Sequence, residues 1–326
     1  MKKINWGIIG CGDVTEIKSG PAFNKVPGSA LVAVMRRDAT KAADYARRHS
    51  VPKWYSDAQQ LIQDNEVNAI YIATPPSSHI DYTLMAIDAG KPVYVEKPMA
   101  LNYTEANKMV QVAGEKKVKL VVAHYRREWP LFKKLQQLVS ENAIGDIQLA
   151  NLQYFKPAQS DAELAIEKNA WRLNSKISGG GLFHDLAPHQ LDIMYHIFGP
   201  AKKINGLAVN RHNANAAQNI IAGNILFKNG IVFNGAWCFN AATNSDQCEL
   251  IGTNGTINFS FFSSNKITLT NNNSYTEFNF EKLQHVQQPM IEKTVQYFLD
   301  KAPNPCTGQD GAEIMRWIDA ISSGHQ

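Results

Sequence analysis

The sequence predicts an α/β protein in which a doubly wound parallel sheet is followed by an α+β domain with a large, open, mainly antiparallel sheet. Three observations support this prediction. Short apolar runs alternate with helix-length segments over the first 125 residues. A glycine turn follows the first of these runs. After about residue 200, β-branched runs follow one another with tight-turn signals between them.

The predicted strands of the first half are continuous apolar runs, which is typical of strands that helices cover on both faces. They lie at residues 5–9, 31–35, 69–73, 93–95 and 120–123. Helix-length segments lie between them at 40–49, 79–89 and 104–117. Repeated βα units with parallel connections predict the doubly wound sheet, which we assign to residues 1–125.

The second half, residues 126–326, is predicted to carry the antiparallel sheet. Its strands are expected at 204–209, 220–227, 231–239, 249–251, 256–262, 267–269 and 276–280. Two connections contain Asn-Gly, at 229–230 and 254–255, a dipeptide that adopts positive φ cheaply and favours tight hairpins. Helices at 290–299 and 310–322 close the chain, and the last is expected to pack back on the first domain.

Composition excludes several classes of protein. A chain of 326 residues with 44% hydrophobic and 19% charged residues fits about two globular domains. The net charge of 33 − 29 = +4 is too small to predict a nucleic-acid or membrane partner. The four cysteines form no CxxC pair, and no apolar stretch is long enough for export or a membrane span. We therefore expect reduced thiols and a cytoplasmic protein.

The glycine turn after the first strand reads Gly10-Cys11-Gly12-Asp13-Val14. The first glycine permits a tight strand-to-helix turn, and the second leaves room for a pyrophosphate to approach the backbone. Thr15 replaces the third glycine of the dinucleotide fingerprint, so an ordinary βα turn is the alternative. The position of the turn, directly after the first strand, favours dinucleotide binding.

The end of the second strand indicates which dinucleotide is preferred. An acidic residue is usual there in NAD enzymes, whereas this chain has Arg36-Arg37 and then Asp38. A guanidinium suits a 2′-phosphate, so NADP(H) is the preferred cofactor and NAD(H) is possible. The alternative is a pair of solvated arginines.

Glu96-Lys97-Pro98 follows a strand at the edge where ligands bind in open α/β sheets. Beside a positively charged nicotinamide, the pKa of Lys97 should fall, which would make its amine a usable proton donor or acceptor. The alternative is a strand terminus without chemistry.

A glycine run at 179–181 opens a helix that Gly199-Pro200 stops. Asp185, His189, Asp192 and His196 are spaced along one face of that helix. An imidazole on this face could exchange a proton with a hydroxyl, and a carboxylate beside it would orient the ring. The alternatives are a solvated helix face and a metal site; the second is disfavoured because no further ligand cluster appears, so no metal is expected.

These motifs together resemble the glucose-fructose oxidoreductase/inositol dehydrogenase (Gfo/Idh/MocA) family. The resemblance extends over nearly the whole chain and includes Ala73-Thr74-Pro75-Pro76-Ser77-Ser78-His79, Tyr125-Arg126-Arg127 and Trp171-Arg172. Within this family, the chain resembles most the NADP-dependent sugar reductases such as 1,5-anhydrofructose reductases. It also resembles the related xylose and dihydrodiol dehydrogenases. The family implies that the first domain has a Rossmann fold and that the second, substrate-binding domain makes a homodimer or homotetramer through its open sheet.

The resemblance also implies residue roles. Catalysis is assigned to Lys97, Asp185 and His189. Besides the glycine turn and the two arginines, cofactor binding is assigned to Thr74, Pro75, His79, Glu96 and Lys97. Substrate binding is assigned to Tyr125, Arg126, Trp171, Arg172, Asp185 and His189.

The predicted function is hydride transfer between the nicotinamide cofactor and a sugar, polyol or related hydroxy or carbonyl compound. One alternative is a dinucleotide-dependent glycosidase of the same superfamily, in which transient oxidation of the sugar permits elimination. Another is a non-catalytic regulatory protein that binds the cofactor. The presence of both Lys97 and His189 argues against the regulatory protein.

Overall fold

A computed structural model of the chain describes residues 2–158, 174–211, 217–272 and 274–323. The chain divides into two compact units. The first unit comprises Met1–Tyr125 and Leu283–Met315, and the second comprises Arg126–Lys282 and Arg316–Gln326. Over the described ranges, no helix has the length and apolar character needed to cross a membrane.

The first unit contains a parallel sheet, as the sequence predicts, but it has six strands, and the sequence analysis missed the short strand at Lys53–Tyr55. Its strands are β1 Ile4–Ile9, β2 Ser29–Met35, β3 Lys53–Tyr55, β4 Ala69–Ile72, β5 Val93–Val95 and β6 Leu120–Val122. Their spatial order is β3-β2-β1-β4-β5-β6, so the direction of winding reverses between β1 and β4. Ligands of open α/β sheets bind beyond the carboxyl ends of the strands at such a reversal.

The first unit has helices between its strands and one further helix from the C-terminal part of the chain. They are α1 Asp13–Ile17, α2 Ala39–Arg48, α3 Ala58–Gln63, α4 His79–Asp88, α5 Tyr103–Lys116 and α9 Gln288–Phe298, with short 3-10 helices at Gly20–Asn24 and Pro76–Ser78. Side chains at the N-caps explain several of the starts, because Asp38, Asp57 and Asn102 each accept a hydrogen bond from a backbone N–H in the first turn. The predicted helices at 40–49, 79–89 and 104–117 are confirmed to within a residue at each end.

The second unit contains an eight-stranded sheet, mainly antiparallel as predicted. Its strands are β7 Ile147–Phe155, β8 Ala201–Val209, β9 Ile220–Phe227, β10 Val232–Cys238, β11 Ser245–Gly252, β12 Gly255–Phe259, β13 Lys266–Asn271 and β14 Ser274–Asn279. The order is β14-β13-β12-β11-β7-β10-β9-β8, and the pairing of β7 with β10 is parallel. The sequence analysis missed β7, although this strand occupies the middle of the sheet.

The two Asn-Gly connections are hairpins for different reasons. Between β9 and β10, Gly230 has φ +91°, the conformation that the dipeptide predicts. Between β11 and β12, neither Asn254 nor Gly255 has a positive φ, so the expected reason is wrong at this turn. A Cβ on Gly255 would instead collide with the carbonyl oxygen of Thr270 on β13, so glycine is required there for close approach of two strands.

One face of this sheet is buried in the core of the second unit. The helices of the second unit are α6 Pro130–Ser140, α7 Ser175–Ser178 and α8 Gly181–Phe198. The last helix, α10 Gly308–Ser322, is divided between the two units. The Trp237 indole on β10 donates to Gln190 Oε1 on α8 at 2.7 Å, which ties the helix to the sheet. Ile321 of α10 packs closely on Gly223 of β9. Side chains on the opposite face of the sheet stay partly exposed, because β7, β9 and β10 alternate between buried and accessible residues.

Candidate functional site

The turn after β1 is built around Gly10. Gly10 has φ +92°, and a Cβ there would lie 2.7 to 2.9 Å from atoms of Thr74 and Ala73 at the end of β4. Its N–H and that of Cys11 both donate to Met35 O at the end of β2. The turn is therefore fixed between the ends of two neighbouring strands, and only glycine fits at position 10.

Gly12 has a different reason to be glycine. Among the described atoms, the nearest to a Cβ built on Gly12 is the Gly10 carbonyl oxygen, at 3.9 Å. Its φ of −126° is accessible to any residue, so neither crowding nor strain requires glycine. A bare backbone that faces open space suits the close approach of a phosphate. Thr15, which replaces the third glycine, is buried, and its hydroxyl donates to Gly12 O at 2.8 Å.

Two arginines follow β2, and the first of them lies against this turn. Arg36 is half-buried, and its Nη1 lies 3.4 Å from Cys11 O, while Arg37 is exposed. The Asp38 carboxylate accepts the Lys41 N–H at 3.0 Å and caps α2. One oxygen of the acidic group is thus used in capping, and the two side chains that precede it at this strand end are guanidinium groups, which suit a 2′-phosphate.

The segment after β4 links the glycine turn to the Glu-Lys-Pro motif through His79. The imidazole is fully buried, with Nε2 2.7 Å from Thr74 O and Nδ1 3.0 Å from Pro98 O. Burial lowers the pKa of His79 to about 4, so the ring is neutral at neutral pH. A neutral imidazole carries one N–H, which it can donate to one of these two carbonyl oxygens at a time. His79 thus positions both segments from inside the first unit.

Glu96, at the end of β5, lies in a buried hydrogen-bond network. Its Oε1 accepts the Tyr71 hydroxyl and the Gln287 amide, both at 2.5 Å, and its Oε2 accepts the Lys97 N–H at 3.2 Å. Burial raises the pKa of this carboxyl, and hydrogen bonding to Tyr71 opposes the rise. The network holds the backbone immediately before Lys97, which is itself half-buried. The assignment of Glu96 to the cofactor therefore stays a prediction.

Sequence analysis missed Gln287, which precedes α9 and is fully buried. Its amide oxygen accepts the Tyr94 hydroxyl at 3.1 Å while its nitrogen reaches Glu96. Its backbone N–H donates to Lys18 O just after α1. One glutamine thus connects the Glu-Lys-Pro strand to the helix that follows the glycine turn. No pattern in the sequence marks it, because Glu96 lies 191 residues away.

In the second unit, the glycine run opens α8 as predicted. Gly179 and Gly181 have φ +89° and +73°, and a Cβ on Gly180 would collide with the His184 imidazole. Burial lowers the pKa of His184 to about 4, so this ring is also neutral. The helix ends where Gly199 has φ +80°, as the Gly-Pro signal predicts.

The predicted acid and imidazole face of α8 is not uniform. His189 is 4% exposed, Asp185 is half-buried, and Asp192 is 1% exposed. Asp192 forms a buried ion pair with Arg127, whose Nη2 lies 2.6 Å from Oδ1 and whose Nε lies 3.0 Å from both oxygens. The alternative of a solvated helix face is wrong at Asp192, because this carboxylate is buried and a guanidinium compensates its charge. In the described part of the chain, no group of three His, Cys, Asp or Glu residues could hold a metal ion.

Phe262 joins two of the predicted site residues of the second unit. The buried Arg126 guanidinium stacks over the Phe262 ring at 4.5 Å and over the Trp129 ring at 4.2 Å. The His189 ring meets Phe262 edge-on, with centroids 5.8 Å apart. Burial raises the pKa of the neighbouring Tyr154, and the negative charges of Asp246 and Asp185 raise it further. Phe262 carried no sequence signal.

The structure thus distributes the predicted residues over both units. Lys97, Tyr125 and the cofactor candidates belong to the first unit, and Arg126, Asp185 and His189 belong to the second. Trp171 and Arg172 lie outside the described residues. Chemically, the first unit offers a glycine turn at the start of a helix, two guanidinium groups and a lysine. The second offers an imidazole, a carboxylate and an aromatic ring.

Two family models match the chain. The model described as "Oxidoreductase family, NAD-binding Rossmann fold" matches residues 4–124, and the GFO/IDH/MocA C-terminal domain matches residues 132–258. Both agree with the family that the sequence motifs resemble.

Known proteins give the same picture. The chain is 47% identical over 319 residues to Oxidoreductase P35 of Formosa agariphila, with 98% of each chain covered. It is 26% identical over 254 residues to the 1,5-anhydro-D-fructose reductase of Ensifer adhaerens, covering 77% of this chain and 74% of that protein. A levoglucosan dehydrogenase solved with NADH and levoglucosan superposes with a TM-score of 0.88 at 20% identity, over 98% of this chain and 96% of that one. At this identity the structural likeness shows the fold alone.

Proposed function

The chain belongs to the GFO/IDH/MocA family of oxidoreductases with an NAD-binding Rossmann fold, and from this premise we propose that it transfers a hydride between a nicotinamide cofactor and the CH–OH carbon of a sugar, a polyol or a related hydroxy or carbonyl compound. The observation that carries the proposal is the turn at Gly10 and Gly12, where one glycine is required by packing and the other is left bare. The sugar part is supported by the relative named 1,5-anhydro-D-fructose reductase.

The cofactor we propose is NADP(H), with NAD(H) as a weaker ligand. Gly10, Cys11, Gly12, Asp13 and Val14 would hold the pyrophosphate through backbone N–H groups. The second strand supports the preference, because Arg36 and Arg37 follow it while Asp38 caps α2. Thr74, Pro75, His79, Glu96 and Lys97 complete the proposed cofactor site.

The nicotinamide supplies the hydride chemistry when it is bound, and the protein supplies the proton and the orientation. His189 exchanges the proton of the substrate hydroxyl, and Asp185 orients the imidazole or holds a neighbouring hydroxyl. Lys97 polarises the substrate oxygen with its ammonium group. Tyr125, Arg126, Trp171 and Arg172 complete the proposed substrate site.

Cofactor titration tests the first half of this proposal. Nicotinamide fluorescence is followed while NADPH or NADH is added to the purified protein at matched salt. We expect NADPH to bind at least tenfold more tightly, about 1.4 kcal/mol. Equal or inverted affinities would contradict the NADP preference and leave the oxidoreductase assignment intact. Binding of neither cofactor would contradict the assignment itself.

Isotope transfer tests the second half. Reduced cofactor deuterated at the transferable position is incubated with a panel of sugar carbonyl compounds, and the product is analysed by mass spectrometry. We expect deuterium on the new carbinol carbon, with one cofactor oxidised for each product formed. Consumption of a glycoside without net cofactor oxidation would favour the glycosidase instead. A protein that binds the cofactor and turns over neither class would be the regulatory protein.

We also propose that two copies associate through the open face of the eight-stranded sheet, in the cytoplasm. On that face Leu207 is 69% exposed and Val209 is 50% exposed, so two neighbouring apolar side chains of β8 are accessible to a second copy. Asn224, Asn234 and Asn151 form a hydrogen-bonded row across β9, β10 and β7 beside a groove of about 430 Å³. The substitution Leu207→Asp should convert an oligomer into a monomer in light-scattering measurements, and a wild-type monomer would contradict the proposal. All four cysteines lie in the described ranges and none of them forms a disulfide, in keeping with a reducing compartment.

A further inference from the structure

The turn that follows β12 is fixed by one carboxylate. Asp246 on β11 accepts the backbone N–H of Phe261 at 3.1 Å, of Phe262 at 2.6 Å and of Ser263 at 2.7 Å. Hydrogen bonds from three consecutive N–H groups to an ionised acceptor are stronger than neutral ones and leave the turn little freedom. The position of the Phe262 backbone is therefore fixed by its hydrogen bonds to a residue of the sheet.

The three phenylalanines around this turn differ in burial. Phe259 and Phe261 are 4% and 2% exposed and pack on Phe132 of α6, which is the behaviour of core residues. Phe262 is only half-buried. A half-buried ring on a rigid turn keeps part of its apolar surface accessible, and ligand sites use aromatic rings in this way.

The Phe262 ring contacts two residues that are assigned to the proposed substrate site. His189 meets it edge-on, and the Arg126 guanidinium occupies one of its faces. Tyr154, 5.1 Å away between centroids, supports it from the sheet. The orientation of the ring is thus determined by its neighbours before any ligand arrives, and the imidazole proposed to exchange the substrate proton lies next to it.

We propose that Phe262 is a specificity-determining residue, whose ring packs against the C–H face of a cyclic sugar or cyclic polyol while His189 contacts the reacting hydroxyl. A ring-closed sugar presents several C–H groups on one face, and these carry slight positive charge. They complement the negative face and the apolar surface of an aromatic ring. An open-chain polyol presents no such face and would have to lose conformational freedom to form one. The inference rests on the proposed function and deepens it, because it selects cyclic over open-chain substrates.

Substitutions at Phe262 test this role. Phe262→Leu keeps an apolar side chain and removes the flat ring, whereas Phe262→Tyr keeps the ring. Phe278→Leu is the matched control, since Phe278 lies on β14 of the same sheet, is also half-buried, and packs its ring against Lys134 of α6. Asp246→Asn replaces an accepting oxygen by an NH₂ group and should displace Phe262 without altering its side chain.

Turnover is measured with D-glucose and myo-inositol as cyclic substrates and with sorbitol and mannitol as open-chain substrates. We expect the wild type to prefer the cyclic pair. Phe262→Leu should raise the KM for cyclic substrates about tenfold. Its kcat, its NADPH affinity and its KM for open-chain substrates should stay unchanged. Phe262→Tyr and Phe278→Leu should behave like the wild type, and Asp246→Asn should show a smaller rise in the same KM.

Several results would overturn the inference while leaving the oxidoreductase intact. These are a wild type that prefers open-chain polyols, an unchanged KM in Phe262→Leu, or an equal rise in KM for both substrate classes. Absence of turnover with the whole panel would count against the proposed function, and the inference is then decided by binding. Cyclic sugars should raise the Tm of the wild type and of Phe262→Tyr but not of Phe262→Leu. A Tm shift common to all variants, or absent from all, would contradict it.

Discussion

The two units carry their predicted site residues in different ways. In the first unit, the important groups are backbone atoms and residues next to strand ends, and they lie in short contiguous motifs such as Gly10-Cys11-Gly12 and Glu96-Lys97-Pro98. In the second unit, side chains converge from a helix, a turn and the segment after β6. A site made by backbone geometry leaves a sequence motif, whereas a site made by convergence of side chains leaves isolated residues.

The largest effect on stability is expected from a substitution in the second unit, where side chains from separate segments converge. Asp192→Ala should lower the free energy of unfolding of the second unit by about 3–5 kcal/mol, because it leaves the buried Arg127 guanidinium without its carboxylate. Denaturant unfolding measures the loss. In the first unit, Glu16→Gln removes a more exposed partner of Arg48 and should cost no more than about 1 kcal/mol. Equal losses in the two variants would contradict the difference between the units. The double substitution Arg127→Met with Asp192→Leu should recover most of the loss.

Acid pH should destabilise both units through one buried histidine each. The pKa of His79 and that of His184 fall from the ordinary value of 6.5 to about 4 on folding. The stability that depends on each neutral ring is therefore complete above pH 6.5 and is lost as the pH falls towards 4. Each histidine should cost about 3 kcal/mol over that window. Denaturation midpoints across the window measure this, and His79→Gln or His184→Gln should each flatten the profile. A profile that neither substitution changes would contradict the assignment.

Glycine substitutions test whether the first unit binds the cofactor through its backbone. Gly10→Ala should cost about 1–3 kcal/mol of stability and at least about tenfold in NADPH affinity, because of its positive φ and the contacts with Thr74. Gly12→Ala should keep its stability and still lose affinity, because its Cβ would point into space left for the phosphates. Gly90→Ala is the control, since φ there is +68° and its Cβ meets nothing within 4 Å. It should lose about 1 kcal/mol of stability and no affinity. Loss of stability in Gly12→Ala would undermine this distinction.

The smallest effect concerns cofactor choice. Arg37→Ala should weaken NADPH binding about tenfold, or about 1.4 kcal/mol, and leave NADH binding unchanged. Arg47→Ala is the matched control, because its side chain is 76% exposed on α2 and pairs with Asp44. The two dissociation constants of each variant are compared at one salt concentration, since ionic strength screens both arginines. Parallel losses for NADPH and NADH would show that Arg37 acts only as general positive charge.

The difference between the units also explains how much could be predicted from sequence. Five of the six parallel strands, the glycine turn and the opening and end of α8 were predicted because each depends on local chain geometry. Strand β7 was missed because its polar residues Asn151 and Gln153 face the open side of the sheet and interrupt its apolar pattern. Gln287 and Phe262 were missed because their partners lie far away along the chain. Gln287 is 191 residues from Glu96. Arg126, whose guanidinium stacks on the Phe262 ring, also donates to the carbonyl oxygen of the adjacent Phe261, 135 residues away. Only the fold brings such residues together.

The central claim is the proposal that Lys97 and His189 both act on the substrate. The most direct measurement compares cofactor affinity and turnover in Lys97→Ala and His189→Ala, with His196→Ala on the same helix as the control. We predict that His189→Ala and His196→Ala bind NADPH like the wild type and that Lys97→Ala binds it slightly more weakly. Only Lys97→Ala and His189→Ala should lose turnover, each by at least about a hundredfold. Full turnover in both of those variants would contradict the account.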